Sequence, residues 1–249
     1  MKGTFFSKPL EWNIETNGES WLQVQCLEGV LKVRNHGAET VNLTGSGVGL
    51  SLAEMKKVHT RKEGALKIER STLFSDSEIM GGAERELKFS FLIDANSAVS
   101  DKKSTYYLTY GNKLTEAQLQ LKIEPMAIFS KIAGLLDTFY RFKLKELKAA
   151  KKGVEFKFIP PSSKEMATIE SLSLIFFMNK DNLEMTFDFL VKKLDTSSVI
   201  TKLKKESVVI EKSLSAREYT LGRELINQDQ LLKTIGDALK EIKIGNASS

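Results

Sequence analysis

The chain has one cysteine, two histidines and four prolines among 249 residues. Nowhere does it approach the ~20 consecutive apolar residues that a membrane-spanning helix needs. Each scarcity excludes something. A single cysteine makes no internal disulfide and no thiolate metal cluster. Cys26 ends the stretch Leu22-Gln23-Val24-Gln25-Cys26, where alternation puts it on the apolar face, so it reads as a buried, inert thiol. His36 falls in a turn and His59 in a basic loop. Neither has a second ligand four residues on, so no metal site is predicted. Met1–Pro9 lacks the apolar run of a signal peptide. A cytoplasmic location and no integral membrane contact are therefore expected.

Catalytic motifs are also missing. Gly45, Gly47 and Gly49 alternate in TGSGVGLSL, but no Gly-Lys-Ser/Thr ending and no helix start follow. No set of His, Cys and carboxylates is grouped as a reaction centre would require. The expectation is a protein that is not an enzyme and holds no cofactor.

Charge is present and uneven. The net charge is +5. Met1–Glu124 holds 16 basic and 16 acidic side chains, and Pro125–Ser249 holds 21 and 16. Much of the excess falls in segment 141–164, with Lys143, Lys145, Lys148, Lys151, Lys152 and Lys157. Such a segment offers an alternative function, binding to nucleic acid or a phosphate surface. Phe142, Phe156 and Phe158 alternate with those lysines, which directs the rings inward rather than toward bases.

The dominant pattern is a period of two. Leu87, Phe89, Phe91 and Ile93 share one face, with Lys88 and Ser90 on the other. Burial of each Phe contributes roughly 1.5–3 kcal/mol, enough to place this stretch in a core. Similar strands are predicted at Trp21–Leu27, Val30–Asn35, Thr105–Tyr110 and Gln118–Ile123. In the second half, Val154–Phe158 and Leu172–Met178 follow. Leu183, Met185, Phe187, Phe189 and Val191 then share one face after the turn Asn179–Asn182. Two stretches change period. Ile128, Ile132, Leu135 or Leu136, and Phe139 are spaced for a short junction helix after Pro125. Leu232, Ile235, Leu239 and Ile242 form a stripe on a terminal helix with Asn227 as N-cap, and Gly245–Ser249 is expected to fray. The divisions are 1–124, 125–220 and a helical tail, 221–249.

Two groups of residues carry a resemblance. The turn Asn17-Gly18-Glu19, the strands that follow it, and Gly81-Gly82 leading into Leu87–Ile93 are similar to an arrestin-type N-terminal sandwich. So are the loop Asp94–Ser104 and the strand bearing Tyr106, Tyr107 and Tyr110. The helix Ile128–Phe139 and the segments Val154–Pro160, Ile169–Phe176 and Asn182–Met185 resemble the bacterial sporulation-control protein family, which is arrestin-like. The resemblance implies a mainly β fold: two tandem arrestin-like β-sandwiches with a junction helix and a C-terminal helix. It further implies a regulatory or scaffold protein of the sporulation-control or stress-regulator type, acting through protein contacts. Self-association is allowed for, and no nucleic acid is expected. Arrestin folds bind through edge strands and loop tips. By that analogy Glu54–Gly64 and Asp94–Ser104 are the binding loops, with Lys56, Lys57, Arg61, Lys62, Lys102 and Lys103 facing the partner.

Overall fold

The computed structural model describes residues 1–76, 78–195, 202–222 and 225–247. The chain divides into two compact units, Met1–Glu124 and Pro125–Ser249. The first holds strands β1 (Lys2–Ser7), β2 (Leu10–Thr16), β3 (Trp21–Leu22), β4 (Cys26–Asn35), β5 (Val41–Asn42) and β6 (Gly47–Glu54). Helix α1 (Met55–His59) follows, then β7 (Lys67–Leu73), β8 (Glu78–Ile79), β9 (Glu84–Leu92), β10 (Ser104–Gly111), β11 (Ala117–Gln120) and β12 (Ile123–Glu124). The second holds α2 (Ala127–Tyr140), β13 (Lys143–Ala149), β14 (Val154–Ile159), β15 (Ile169–Asn179), β16 (Asn182–Asp195), β17 (Lys202–Leu214), α3 (Ala216–Tyr219) and α4 (Gln228–Ala247).

In the first unit, two antiparallel sheets, β1-β2-β4-β9 and β11-β10-β6-β7, enclose one core. Alternation supplies it from both sides. Trp12 and Ile14, Leu31 and Val33, Phe89 and Phe91 come from one sheet; Val48 and Leu50, Tyr106, Leu108 and Tyr110 come from the other. The turn before β4 breaks the expected strand Trp21–Leu27. Val24 takes φ 66°, and the Gln25 amide donates to Leu22 O at 3.1 Å. That turn inverts the expected phase. Trp21, Gln23 and Leu27 are buried, while Val24 and Cys26 are exposed, so Cys26 is not the buried thiol expected. A one-residue slip exchanges faces, and burying the Trp21 ring outweighs burying Val24 and Cys26. Gln23 tolerates full burial because its Nε2 donates to Ser97 O at 2.6 Å.

In the second unit, one antiparallel sheet runs β13-β14-β15-β16-β17. Its apolar face carries Phe156, Phe158, Leu174, Phe176, Met185, Phe187 and Phe189, all buried. The mainly β class holds, but among the described residues the layer against this sheet is helical. Phe129 of α2 stacks on Phe176 of β15 with ring centroids 5.0 Å apart, and Phe156 meets Phe176 edge-on at 5.4 Å. Phe129, Ile132, Ala133, Leu135 and Leu136 face inward, whereas Phe139, assigned to the stripe by its spacing, is half exposed. The stacked Phe129 sets the rotation of the helix. The tail is docked rather than loose. Leu231, Ile235, Ala238, Leu239 and Ile242 are buried, and Tyr140 OH donates to Leu232 O at 2.9 Å. Leu231 therefore takes the inward place that the spacing assigned to Leu232. Asn227 caps α4 by accepting the Gln230 amide at 3.3 Å. The helix continues to Ala247 through most of the stretch expected to fray; residues 248–249 lie outside the described residues.

Gly153 closes the β13–β14 hairpin at φ 77°, where a Cβ would sit 1.9 Å from Phe176 O. Both the backbone angle and the space demand glycine. Gly153→Ala is expected to cost well over ~1 kcal/mol in urea unfolding. An unchanged midpoint would show that the hairpin relaxes freely.

Candidate functional site: two basic loops on the first unit

Strand pairing decides which loops meet. Glu54 at the end of β6 lies opposite Ser104 at the start of β10. The chain leaving one strand and the chain entering the other are therefore neighbours, although far apart in sequence. The Met55 amide donates to Lys103 O at 2.8 Å, joining the Glu54–Gly64 loop to the Asp94–Ser104 loop.

Each loop is fixed from below and charged above. In α1, Val58 is buried with Ala53 and Tyr107. That anchor leaves Lys56, His59, Arg61 and Lys62 exposed. Arg61 ends the turn at φ 50°, and Thr60 Oγ1 donates to Lys56 O at 3.0 Å. Lys57 lies 2.5 Å from Glu54 Oε1. In the second loop, Asp101 Oδ1 accepts the amides of Lys103 at 2.7 Å and Ser104 at 2.8 Å, a local turn that leaves the Lys102 and Lys103 side chains in solvent. Ser100 Oγ accepts the Ile123 amide at 2.8 Å, and Gln23 holds Ser97. Gln23 is the residue here that sequence reading missed. Its role appears only once the Val24 turn directs it inward.

All six cations singled out in the sequence thus belong to two adjoining loops, which also carry Glu54, Glu63, Asp94 and Asp101. Beside them, a cleft of about 630 Å³ is lined by Phe5, Val58, Arg61, Lys62, Leu66 and Gln118, among others. Burial pushes the Tyr107 hydroxyl above its ordinary range beneath the loops. Ammonium and guanidinium groups over a packed strand attract carboxylates or phosphates. Among the described residues no group of three or more His, Cys, Asp or Glu could hold a metal ion. No helix among them is long and apolar enough to cross a membrane.

The basic segment 141–164 is arranged differently. Lys143 is 2.5 Å from Asp137, and Lys148 is 3.0 Å from Glu155. Phe142, Phe156 and Phe158 lie in the core and cannot stack on bases. Strand β13 is a sheet edge, and Lys143, Lys145 and Lys148 along it discourage pairing with other chains.

No protein-family model and no curated protein matches the chain. Among solved structures, 24 chains match. One is the crystal structure of Spo0M, a sporulation control protein from Bacillus subtilis, with a TM-score of 0.64 and 14% sequence identity. The match covers 94% of this chain and 99% of that one. At that identity the likeness carries the fold, and the chain has a Spo0M-like, mainly β architecture.

Proposed function

We propose that the chain is a non-catalytic regulatory or scaffold protein of the sporulation-control type, acting through protein contacts in the cytoplasm of a bacterium. Lys56, Lys57, Arg61, Lys62, Lys102 and Lys103 form its partner-binding rim. The observation that carries this reading is the joining of two loops distant in sequence into one basic surface. The Spo0M-like fold supports it, since that neighbour is described as a sporulation control protein. The rim selects an acidic surface on the partner, or on a second copy of the chain.

The test is affinity capture by the intact chain and by a variant with Lys56, Lys57, Arg61 and Lys62 each changed to Glu. Each exposed ion pair is worth about 0.2–1 kcal/mol, so four reversals should weaken capture about fourfold to several-hundredfold. A specific partner held by the intact chain and released by the variant supports the reading. A partner held equally by both removes the rim. Turnover of a small substrate, with no partner recovered, removes the regulator.

A further inference from the structure

Strands β16 and β17 outrun the rest of their sheet. The last pairing of β15 with β16 is Ile169 opposite Val191, with the Lys192 amide donating to Thr168 O at 2.7 Å. Beyond it β16 and β17 continue alone, pairing Lys192 with Lys205, Lys193 with Lys204, Leu194 with Leu203, and Asp195 with Lys202. This two-stranded ribbon opens on two consecutive lysine–lysine pairs. Like charges directly opposite one another destabilise an antiparallel ladder. Alternation puts Lys192 and Lys205 on one face and Lys193 and Lys204 on the other, so both faces are cationic.

The protein compensates only half of this. Glu170 reaches Lys205 at 2.7 Å, and Glu206 reaches Lys193 at 3.0 Å. Among the described residues, neither Lys192 nor Lys204 makes an ion pair of its own, although Lys192 lies in the field of Glu170, and both are exposed. The Glu170 carboxyl is held below its usual range by its hydrogen bond to Lys205 and by the charges of Lys205, Lys192 and Lys157. Among the described residues β17 is the outermost strand, and no other strand lies along its outer row of amides and carbonyls.

We infer that this ribbon is a second docking site, which takes an extended acidic polypeptide segment as an added strand along the free edge of β17. Neighbouring residues of an added strand point to opposite faces, so two consecutive carboxylates would meet Lys204 on one face and Lys205 on the other. Main-chain hydrogen bonds supply affinity, and the lysines select the sequence. A flat anionic bilayer touches only one face of a ribbon and leaves the other pair uncompensated. A nucleic-acid groove encloses both faces, but it would set Glu170 and Glu206 against phosphates. The inference rests on the protein-contact reading above but uses a surface on the other unit.

The test uses the full chain, a fluorescent synthetic peptide with two consecutive glutamates between valines and threonines, and a control peptide with lysines in their place. Anisotropy should show saturable binding of the acidic peptide alone. Binding should weaken about tenfold or more between ~50 mM and ~500 mM salt. Lys192→Glu with Lys204→Glu should abolish it, because each change turns a repelling pair into an attracting one without an acidic guest. The same double variant should melt about 1–3 °C higher, which shows that the loss is not unfolding. The rim variant described above should bind the peptide as the intact chain does. The inference is overturned by peptide binding that survives in the double variant or by none up to ~1 mM. It is equally overturned if a short DNA duplex or an anionic vesicle binds the ribbon and the peptide does not. None of these results alters capture through the rim lysines, which the ribbon variant retains.

Discussion

Phe176→Ala is expected to lower the stability of the second unit by about 3–5 kcal/mol. Phe176 is fully buried near the middle of β15, between Leu174 and Met178 on the same face. Its ring stacks on Phe129 of α2 and meets the edge of Phe156 from β14. One truncation therefore opens a cavity where helix and two strands meet, and it removes two aromatic contacts worth about 0.5–1.5 kcal/mol each beyond their burial. Phe129→Ala should cost a similar amount, and the double variant less than the sum, because both remove the same contact. Urea unfolding measures all three. A loss below ~1 kcal/mol for Phe176→Ala would mean that the helix does not lie on the sheet through this ring.

The second large effect is expected in α4. Ile235 is fully buried, so Ile235→Asp should lose at least the ~2–5 kcal/mol of an aliphatic truncation. It also forces a carboxylate out of water without a partner. Leu232→Asp, one helical turn away and only partly buried, should be milder. Limited trypsin digestion distinguishes the two, since Lys233 and Lys240 lie on the exposed side of α4. Rapid cleavage after Ile235→Asp alongside slow cleavage after Leu232→Asp is the expected result. Equal, slow cleavage of both would remove the docked helix.

The two predictions depend on information of different kinds. The inward place of Phe176 is legible in the alternation Leu172, Leu174, Phe176, Met178, because a strand has only two faces and one of them is apolar. The inward place of Leu231 is not legible. A helix with leucines at 231 and 232 can turn either one toward the core, and the choice is made by the surface it meets. Phe139 faces outward for the same reason: spacing gives a stripe, but the stacking of Phe129 on Phe176 sets the rotation. Cys26 and Val24 face solvent against the alternation because the positive φ of Val24, in a β-branched residue, leaves no mark in the sequence.

The candidate sites divide in the same way. That Lys56, Lys57, Arg61, Lys62, Lys102 and Lys103 belong to polar, turn-rich loops follows from local composition. That those loops adjoin follows from the register Glu54 opposite Ser104. The lysine–lysine pairs of the ribbon depend on register alone. A shift of one residue would pair Lys192 with Lys204 or with Glu206 instead, and nothing local forbids it.

By itself, then, the amino-acid order determined the β class, the apolar faces of the main strands, the two helical stretches and the lack of any motif for catalysis. These follow from short-range periodicity, which burial of apolar area enforces wherever the chain folds. Tertiary structure alone decided which way each helix turns, what fills the layer over the second sheet, and which charges stand side by side. Those depend on contacts between residues far apart in the chain, where competing arrangements differ only by packing and register.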